Sequence, residues 1–413
     1  MKQITRADCR VMDQNDPLAF LRAEFHMPEG LINMDGNSLG ALPKSTIQKL
    51  EKTIKEEWGI GLIHSWSEAG WFESPVRIGN KIAPLIGAQE GEVLVADTTS
   101  INLFKALAAA SQMNKDRSIL LSEEGNFPTD LYMMQGLSAL SNNRLQTKVL
   151  PPEQLLDALT EEVAVLLLTQ VNYKTAEIKD MQLVTHKAQE KGILVIWDLS
   201  HSIGSIEVDL TAANADFAVG CGYKFLNGGP GAPAFIYVPK RHQATAQNML
   251  SGWMGHADPF AFSENYKPKV SVERFRAGTP VMLGMSALES GVDLFQKTSI
   301  AALRKKCIQL SELFINLMRQ TCGGYGFQLA SPTDAAQRAG HVAFSHPEGH
   351  AIYQAIKRQQ IISDFRTPDI LRFGITPMYL RYVDMYDVVM AIQEVMETGA
   401  WDRAEFKIRS TIT

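Results

Sequence analysis

Between about residue 92 and residue 238, short runs of uninterrupted apolar residues alternate with longer stretches whose apolar positions recur every three to four residues. The short runs, at 118–123, 163–169, 193–198, 217–219 and 232–238, are rich in Val, Ile and Leu. They are too short for typical helices and too uniformly apolar for a half-exposed sheet, so they predict strands covered on both faces. The stretches between them, such as 180–191, predict helices, hence right-handed crossovers and a mostly parallel sheet.

Outside that region the pattern changes. Residues 1–30 predict an amino-terminal arm with a helical segment at 17–25, followed by a turn-rich loop, Asn33-Met-Asp-Gly-Asn-Ser-Leu-Gly40, and an amphipathic helix over 44–58. Past Pro280 a long helical pattern runs to about residue 319, then strands are expected at 340–345 and 370–375 and a closing helix at 386–398. A chain of 413 residues exceeds what one core usually serves. The expected architecture is therefore α/β, with a large domain at 61–290, a smaller α+β domain at 291–413, and an arm and helix at 1–60 packed with the small domain.

The chemistry sits at the ends of the strands. Ile193-Leu-Val-Ile-Trp-Asp198 places a carboxylate at the end of one strand, and Phe217-Ala-Val-Gly-Cys-Gly-Tyr-Lys224 places an amine just after the next. In open α/β sheets the carboxyl ends of the strands face the ligand crevice. Each residue alone has an ordinary use: an Asp after a strand caps a helix, and a Lys beside a Gly-rich turn is a solvated charge. Together, and followed by Gly228-Gly-Pro-Gly231, they suit pyridoxal 5'-phosphate, whose aldehyde condenses with a Lys amine and whose ring nitrogen pairs with a carboxylate.

Further segments extend that expectation. Asp97-Thr-Thr-Ser100 opens a helix, so Thr99 and Ser100 are candidates for the cofactor phosphate, with a plain helix cap as the alternative. Phe127, in Glu124-Gly-Asn-Phe-Pro-Thr-Asp130, is a candidate to stack on the ring, and Asp130 to reach the ring hydroxyl. Thr169 ends the next strand, and His201 neighbours Asp198. Tyr223 is placed to reach the phosphate or to act as a proton donor. The Trp253 indole is a further phosphate donor, and Thr279 places a hydroxyl on an extended Gly-Thr-Pro segment. Arg372 is the candidate for a substrate α-carboxylate, which a guanidinium binds through two parallel hydrogen bonds, with a solvent-facing strand Arg as the alternative.

Composition narrows the alternatives. A net charge of −5 without a basic run argues against a nucleic-acid partner. The nine histidines show no paired metal-ligand spacing, so no metal is expected. Four cysteines without a CxxC pair suit a reduced, cytoplasmic setting. The first residues lack the apolar stretch of a signal peptide, and no apolar run reaches membrane-spanning length.

The segments Met34-Asp-Gly-Asn-Ser-Leu-Gly40, Trp58-Gly-Ile with His64-Ser-Trp66, Asp97-Thr-Thr-Ser-Ile-Asn, Asn126-Phe-Pro-Thr-Asp130, Trp197-Asp-Leu-Ser-His201, Gly222-Tyr-Lys-Phe-Leu-Asn-Gly-Gly-Pro-Gly231, Trp253, Phe275-Arg-Ala-Gly-Thr-Pro280 and Leu371-Arg-Phe-Gly374 together resemble the kynureninase family over nearly the whole chain. The resemblance implies a fold-type I pyridoxal phosphate enzyme with a mostly parallel, seven-stranded type of sheet. It also implies cleavage of L-kynurenine, and of its 3-hydroxy derivative, to the anthranilate and L-alanine in tryptophan catabolism. By the same resemblance Thr99, Ser100, Tyr223, Trp253 and Thr279 surround the phosphate, while Phe127, Asp198, His201 and Lys224 contact or carry the ring. Thr279 resembles a contribution from a neighbouring subunit, which implies a homodimer with shared sites, and His64 and Trp66 lie toward the aromatic end of the substrate. In the related cysteine desulfurases a His precedes the reactive Lys and a mobile loop carries a Cys. Here Tyr223 precedes Lys224 and no cysteine occupies a recognisable loop of that kind, which favours carbon–carbon hydrolysis over sulfur transfer, with another enzyme of the same cofactor class, an aminotransferase or a desulfurase, as the alternative. A cofactor-dependent regulator would append a DNA-binding segment, and none is visible.

Overall fold

Leu194–Asp198 is the central strand of a seven-stranded sheet in the computed structural model, which describes residues 4–408. Across the sheet the order is Val93–Val95, Phe235–Tyr237, Phe217–Gly220, Leu194–Asp198, Val163–Thr169, Ile119–Glu123 and Gln146–Leu150. Phe235–Tyr237 runs antiparallel to both of its neighbours, and the other strands share one direction. The continuous apolar pattern has the expected cause. In Val163–Thr169 every position is buried, Val165 and Leu167 entering the core on one face of the sheet and Leu166 and Leu168 the core on the other.

Two strands escape the apolar pattern. Gln146–Leu150 is an edge strand whose side chains are all at least partly exposed, so it carries no apolar run. Val93–Val95 is only three residues long. The 17–25 segment is a short 3-10 turn, Ala19–Glu24, rather than an α-helix, and a helix at Arg6–Gln14, closed by a Thr5–Asp8 capping box, precedes it. The 44–58 helix is α-helical over Lys44–Lys52 and then winds wider over Thr53–Gly61, where Gly59 and Gly61 loosen the helix and Leu62 turns to a positive φ. Past Pro280 there are two long helices, Met282–Asp293 and Ile300–Cys322, the second begun by Ser299, whose hydroxyl accepts from the Ala302 amide at 3.1 Å.

In the carboxyl-terminal part, Asp364–Arg366, Ile370–Gly374, His341–Ser345 and Gln328–Leu329 form an antiparallel sheet in that order, backed by Ile300–Cys322 and Gly349–Lys357, on which Tyr382–Glu397 packs in turn. The amino-terminal arm docks there: Ile32–Asn33 pairs in parallel with Ile361–Ile362, Arg6 forks onto Asp387 at 2.6 and 2.7 Å, and Asp13 accepts from the Tyr382 amide at 2.6 Å. The expected 290/291 boundary falls inside the helix Met282–Asp293. We propose to place it near Thr298, where the two helices part; the first part of the 1–60 arm stays with the small domain, whereas Lys44–Lys52 and the turn after it pack on Met282–Asp293, with Thr53 against Ser286 at 3.0 Å. Residues 1–3 and 409–413 of those two segments lie outside the described residues.

Candidate active site

The carboxyl ends of the parallel strands deliver their side chains to one cavity of about 270 Å³. Ile119–Glu123 is followed by the loop that carries Phe127, which Asn126 fixes by accepting from the Phe127 amide at 2.8 Å and donating to Ser122 at 2.9 Å. Thr169 and Asp198 end adjacent strands in register. The Asp198 carboxylate accepts from the Ser200 amide at 2.7 Å, which sets its direction. Beyond Phe217–Gly220 the chain turns sharply. Gly222 is required there because a Cβ would collide with the Pro233 carbonyl oxygen, and the turn presents Tyr223 and Lys224. From the far side the Asn33–Gly40 loop locks this turn. The Gly40 amide donates to the Tyr223 carbonyl at 2.8 Å, and a Cβ on Gly40 would collide with the Lys224 carbonyl oxygen.

Nine residues singled out in the sequence line this cavity: Thr99, Ser100, Phe127, Asp130, Thr169, Asp198, His201, Tyr223 and Lys224. Thr99 and Ser100 stand in the first turn of the helix Thr99–Met113, where free backbone N–H groups favour an anion, and Thr98 provides the cap. Nζ of Lys224 lies 3.0 Å from Nε2 of His201 and 5.8 Å from the centre of the Phe127 ring. Phe127 is held edge-on by Tyr173 at 5.2 Å.

Electrostatically the cavity is unusual for its buried acids. Both oxygens of Asp130 are buried without a donor from the protein, as is Nδ1 of His201. Burial, then the charge of Asp198, pushes the Asp130 carboxyl well above the usual carboxylate range, and burial raises Asp198 as well. Burial also raises the Tyr223 phenol. His201 moves the other way: burial, then the charge of Lys224, holds its imidazole well below the usual range, so it stays neutral.

Pyridoxal phosphate fits these groups. A protonated pyridine nitrogen suits the buried carboxyls, of which Asp130 has no donor from the protein, an amine is present for the aldehyde, and a helix amino terminus with two hydroxyls is present for the phosphate.

Five of the sequence-predicted residues do not line the cavity. Trp253 is exposed on a short turn and packs edge-on to Phe260 at 5.9 Å. Thr279 is exposed in a separate cleft beside Asp97 and Arg276. His64 is exposed, and Trp66 is half-buried against Trp71 at 5.7 Å. Arg372 is fully buried behind the cavity, where its charge still reaches His201. Its fork is already engaged by Asp364, with Nε donating to Oδ1 at 2.7 Å and Nη2 to Oδ2. Leu103, Thr129, Val171 and Ser200 line the cavity without having been singled out, although Thr129 and Ser200 lie within the Asn-Phe-Pro-Thr-Asp and Trp-Asp-Leu-Ser-His motifs.

Solved structures with this architecture include the cysteine desulfurase of Thermococcus onnurineus NA1, which superposes with a TM-score of 0.77 over 92% of this chain and 98% of that one at 17% identity. A C-DES mutant with glycine covalently linked to its PLP cofactor superposes with a TM-score of 0.78 over 90% of this chain and 98% of that one at 15% identity. At that level of identity the likeness speaks for the fold alone. Residues 303–392 match the family description "Kynureninase C-terminal domain". Over the full length, proteins named kynureninase from Burkholderia pseudomallei (strain K96243) and Pseudomonas fluorescens are 45% and 44% identical, each match covering 99% of this chain and all of the relative. With identity sustained from end to end, the chain belongs to the kynureninase family.

Proposed function

We propose that the protein is a pyridoxal phosphate-dependent hydrolase that cleaves L-kynurenine, and 3-hydroxy-L-kynurenine, to anthranilate or 3-hydroxyanthranilate and L-alanine, as in tryptophan catabolism. The observation that carries the reading is one buried cavity that joins an amine, Lys224, to two carboxyls, Asp130 and Asp198, of which Asp130 has no donor from the protein.

When bound, the cofactor supplies an electron-withdrawing ring that stabilises negative charge left at the substrate carbons. The residues around it divide the remaining work. Lys224 would hold the cofactor aldehyde through Nζ, and its amine is the base placed to take the proton from the substrate Cα. Asp198 would pair with the ring nitrogen, and Asp130 would reach the ring hydroxyl. Thr99, Ser100 and Tyr223 would hold the phosphate, Phe127 would stack on the ring, and Thr169 and His201 would contact it. His201 remains neutral, so it accepts a hydrogen bond from Lys224 without adding a second positive charge. The Tyr223 phenol keeps its proton at Oη because burial raises it, and it therefore serves as a donor while water adds to the substrate carbonyl. Arg372 fixes the α-carboxylate, which orients the substrate as much as it binds it. His64 and Trp66 stand near the aromatic end.

A homodimer with shared sites accounts for the residues outside the cavity. Trp253 and Thr279 are exposed in one chain and would complete the phosphate site of the partner. Exposed Ile60, Ile63, Phe260 and Phe262 give the chain apolar surface suited to association. No described helix is long and apolar enough to cross a membrane, and we propose a cytoplasmic enzyme.

The competing reading is another enzyme of the same fold, an aminotransferase or a cysteine desulfurase. Incubation with L-kynurenine in the absence of any oxo acid separates them: anthranilate formation supports the hydrolase, and a strict requirement for an oxo acid rejects it. Borohydride reduction followed by peptide mapping tests the anchor, with the pyridoxyl group expected on Lys224.

A further inference from the structure

We propose that Asp364 is a positioning residue for substrate recognition: it grips one edge of the Arg372 guanidinium and thereby aims the other edge at the substrate α-carboxylate. The inference rests on the reading of Arg372 as the carboxylate site and extends it. Asp364 and Arg372 are cross-strand partners on adjacent antiparallel strands, which brings both side chains to one face of the small sheet. Asp364 occupies Nε and one Nη2 hydrogen. The remaining donors meet only neutral oxygens, with Nη2 donating to the Ser38 hydroxyl at 3.1 Å and Nη1 to the Tyr173 carbonyl. A guanidinium has five N–H donors in a rigid plane, so fixing one edge fixes the direction of the other.

The surroundings hold Asp364 itself in place. Ser38 donates to its Oδ2 at 2.6 Å, and Arg366 lies 3.0 Å from the same oxygen. Ser38 belongs to the loop whose Gly40 locks the Lys224 turn. Tyr173 packs on Phe127, which lines the cavity. The Asp364–Arg372 pair is thus tied to both walls of the site. A simple counter-charge would weaken the attraction of Arg372 for a carboxylate, whereas a positioning carboxylate sacrifices some attraction to gain direction. The two roles predict opposite effects when the charge is removed.

The experiment compares L-kynurenine with kynuramine, the same molecule without its carboxylate, as substrate and as inhibitor of the holoenzyme. In Asp364→Asn the KM for L-kynurenine is expected to rise about tenfold or more, from a misdirected charge-assisted pair, with a smaller change in kcat. Kynuramine inhibition is expected to stay within about twofold, because no carboxylate is involved. Asp364→Glu, which keeps both oxygens, is expected to fall between wild type and Asp364→Asn, and serves if the Asn variant does not accumulate. Tighter L-kynurenine binding in Asp364→Asn, or an equal loss for both molecules, overturns the proposal. Arg372→Lys is measured alongside. If it loses the preference for the carboxylate while Asp364→Asn keeps it, the Asp364 role falls and the Arg372 reading stands. If both variants keep the wild-type preference for the carboxylate, both fall.

Discussion

Nζ of Lys224 and Nε2 of His201 lie 3.0 Å apart, and both side chains are buried. Two basic groups this close would repel if both were protonated. Burial and the nearby Lys224 charge keep the imidazole neutral, so the contact is a hydrogen bond that steadies the amine at the cavity wall. Replacement of Lys224 by Ala is predicted to lower kcat by at least about a thousandfold, the scale of a lost proton-transfer group, and to abolish borohydride trapping of the cofactor. Normal turnover in that variant would remove Lys224 from the chemistry.

Asp198 is predicted to matter through the ring nitrogen. Its carboxylate is buried and has a single amide donor from Ser200, so Asp198→Asn exchanges a charge-assisted partner for a neutral one. Cofactor dissociation is expected to increase about tenfold to a hundredfold, and exchange of the substrate α-proton in deuterium oxide to slow. An unchanged exchange rate would count against the pairing.

Tyr223→Phe is expected to separate binding from the hydration step. Loss of the phenol proton should lower kcat by about a hundredfold or more, while the visible absorbance of the bound cofactor persists. A variant that loses the cofactor outright would assign Tyr223 to the phosphate alone.

A pH dependence follows from Asp35, next to Asp364. Burial, then the charge of Asp364, pushes the Asp35 carboxyl up to about 7, while at Asp364 the Arg372 hydrogen bond and charge outweigh burial and hold it down to about 2. Asp364, Arg372, Ser38, Arg366, Tyr353 and Tyr379 are the polar neighbours that share this field. Because the folded value lies above the ordinary carboxylate value of about 3.9, the proton on Asp35 is held more tightly in the folded state. The associated stability is greatest at low pH and is lost as pH rises through about 7. Over the same interval Asp35 adds a negative charge beside Arg372, so the KM for L-kynurenine is predicted to rise above neutrality. Asp35→Asn should flatten that rise, and an identical profile in the variant would exclude Asp35.

Shared sites have their own signature. Lys224→Ala and Thr279→Ala homodimers should each be impaired. Random exchange of subunits should restore about a quarter of the wild-type sites, since half the dimers are mixed and each mixed dimer has one intact site. No recovery after verified exchange would place both residues in the same chain's site.

Much of this arrangement was legible in the sequence because buried parallel strands write themselves as apolar runs. Asp198 and Lys224 could be placed from strand ends alone, and the structure brings both to the same cavity. The edge strand Gln146–Leu150 was not legible, since its exposed positions leave no run to detect. Asp364 was hidden for a different reason. It lies eight residues before Arg372, and only the antiparallel register makes them partners. Sequence reasoning leaves Arg372 with a free fork, whereas the fold fills one edge of it. The roles of Thr279, His64 and Trp66 rested on resemblance and that of Trp253 on its indole N–H alone, and a single chain does not bring them to the cavity wall.

The most direct test of the central claim is to follow anthranilate and alanine together from L-kynurenine with the purified protein and pyridoxal phosphate. The account predicts equal amounts of both products, without any added oxo acid, and neither product from Lys224→Ala. Amino-group transfer to an oxo acid with no anthranilate would contradict it.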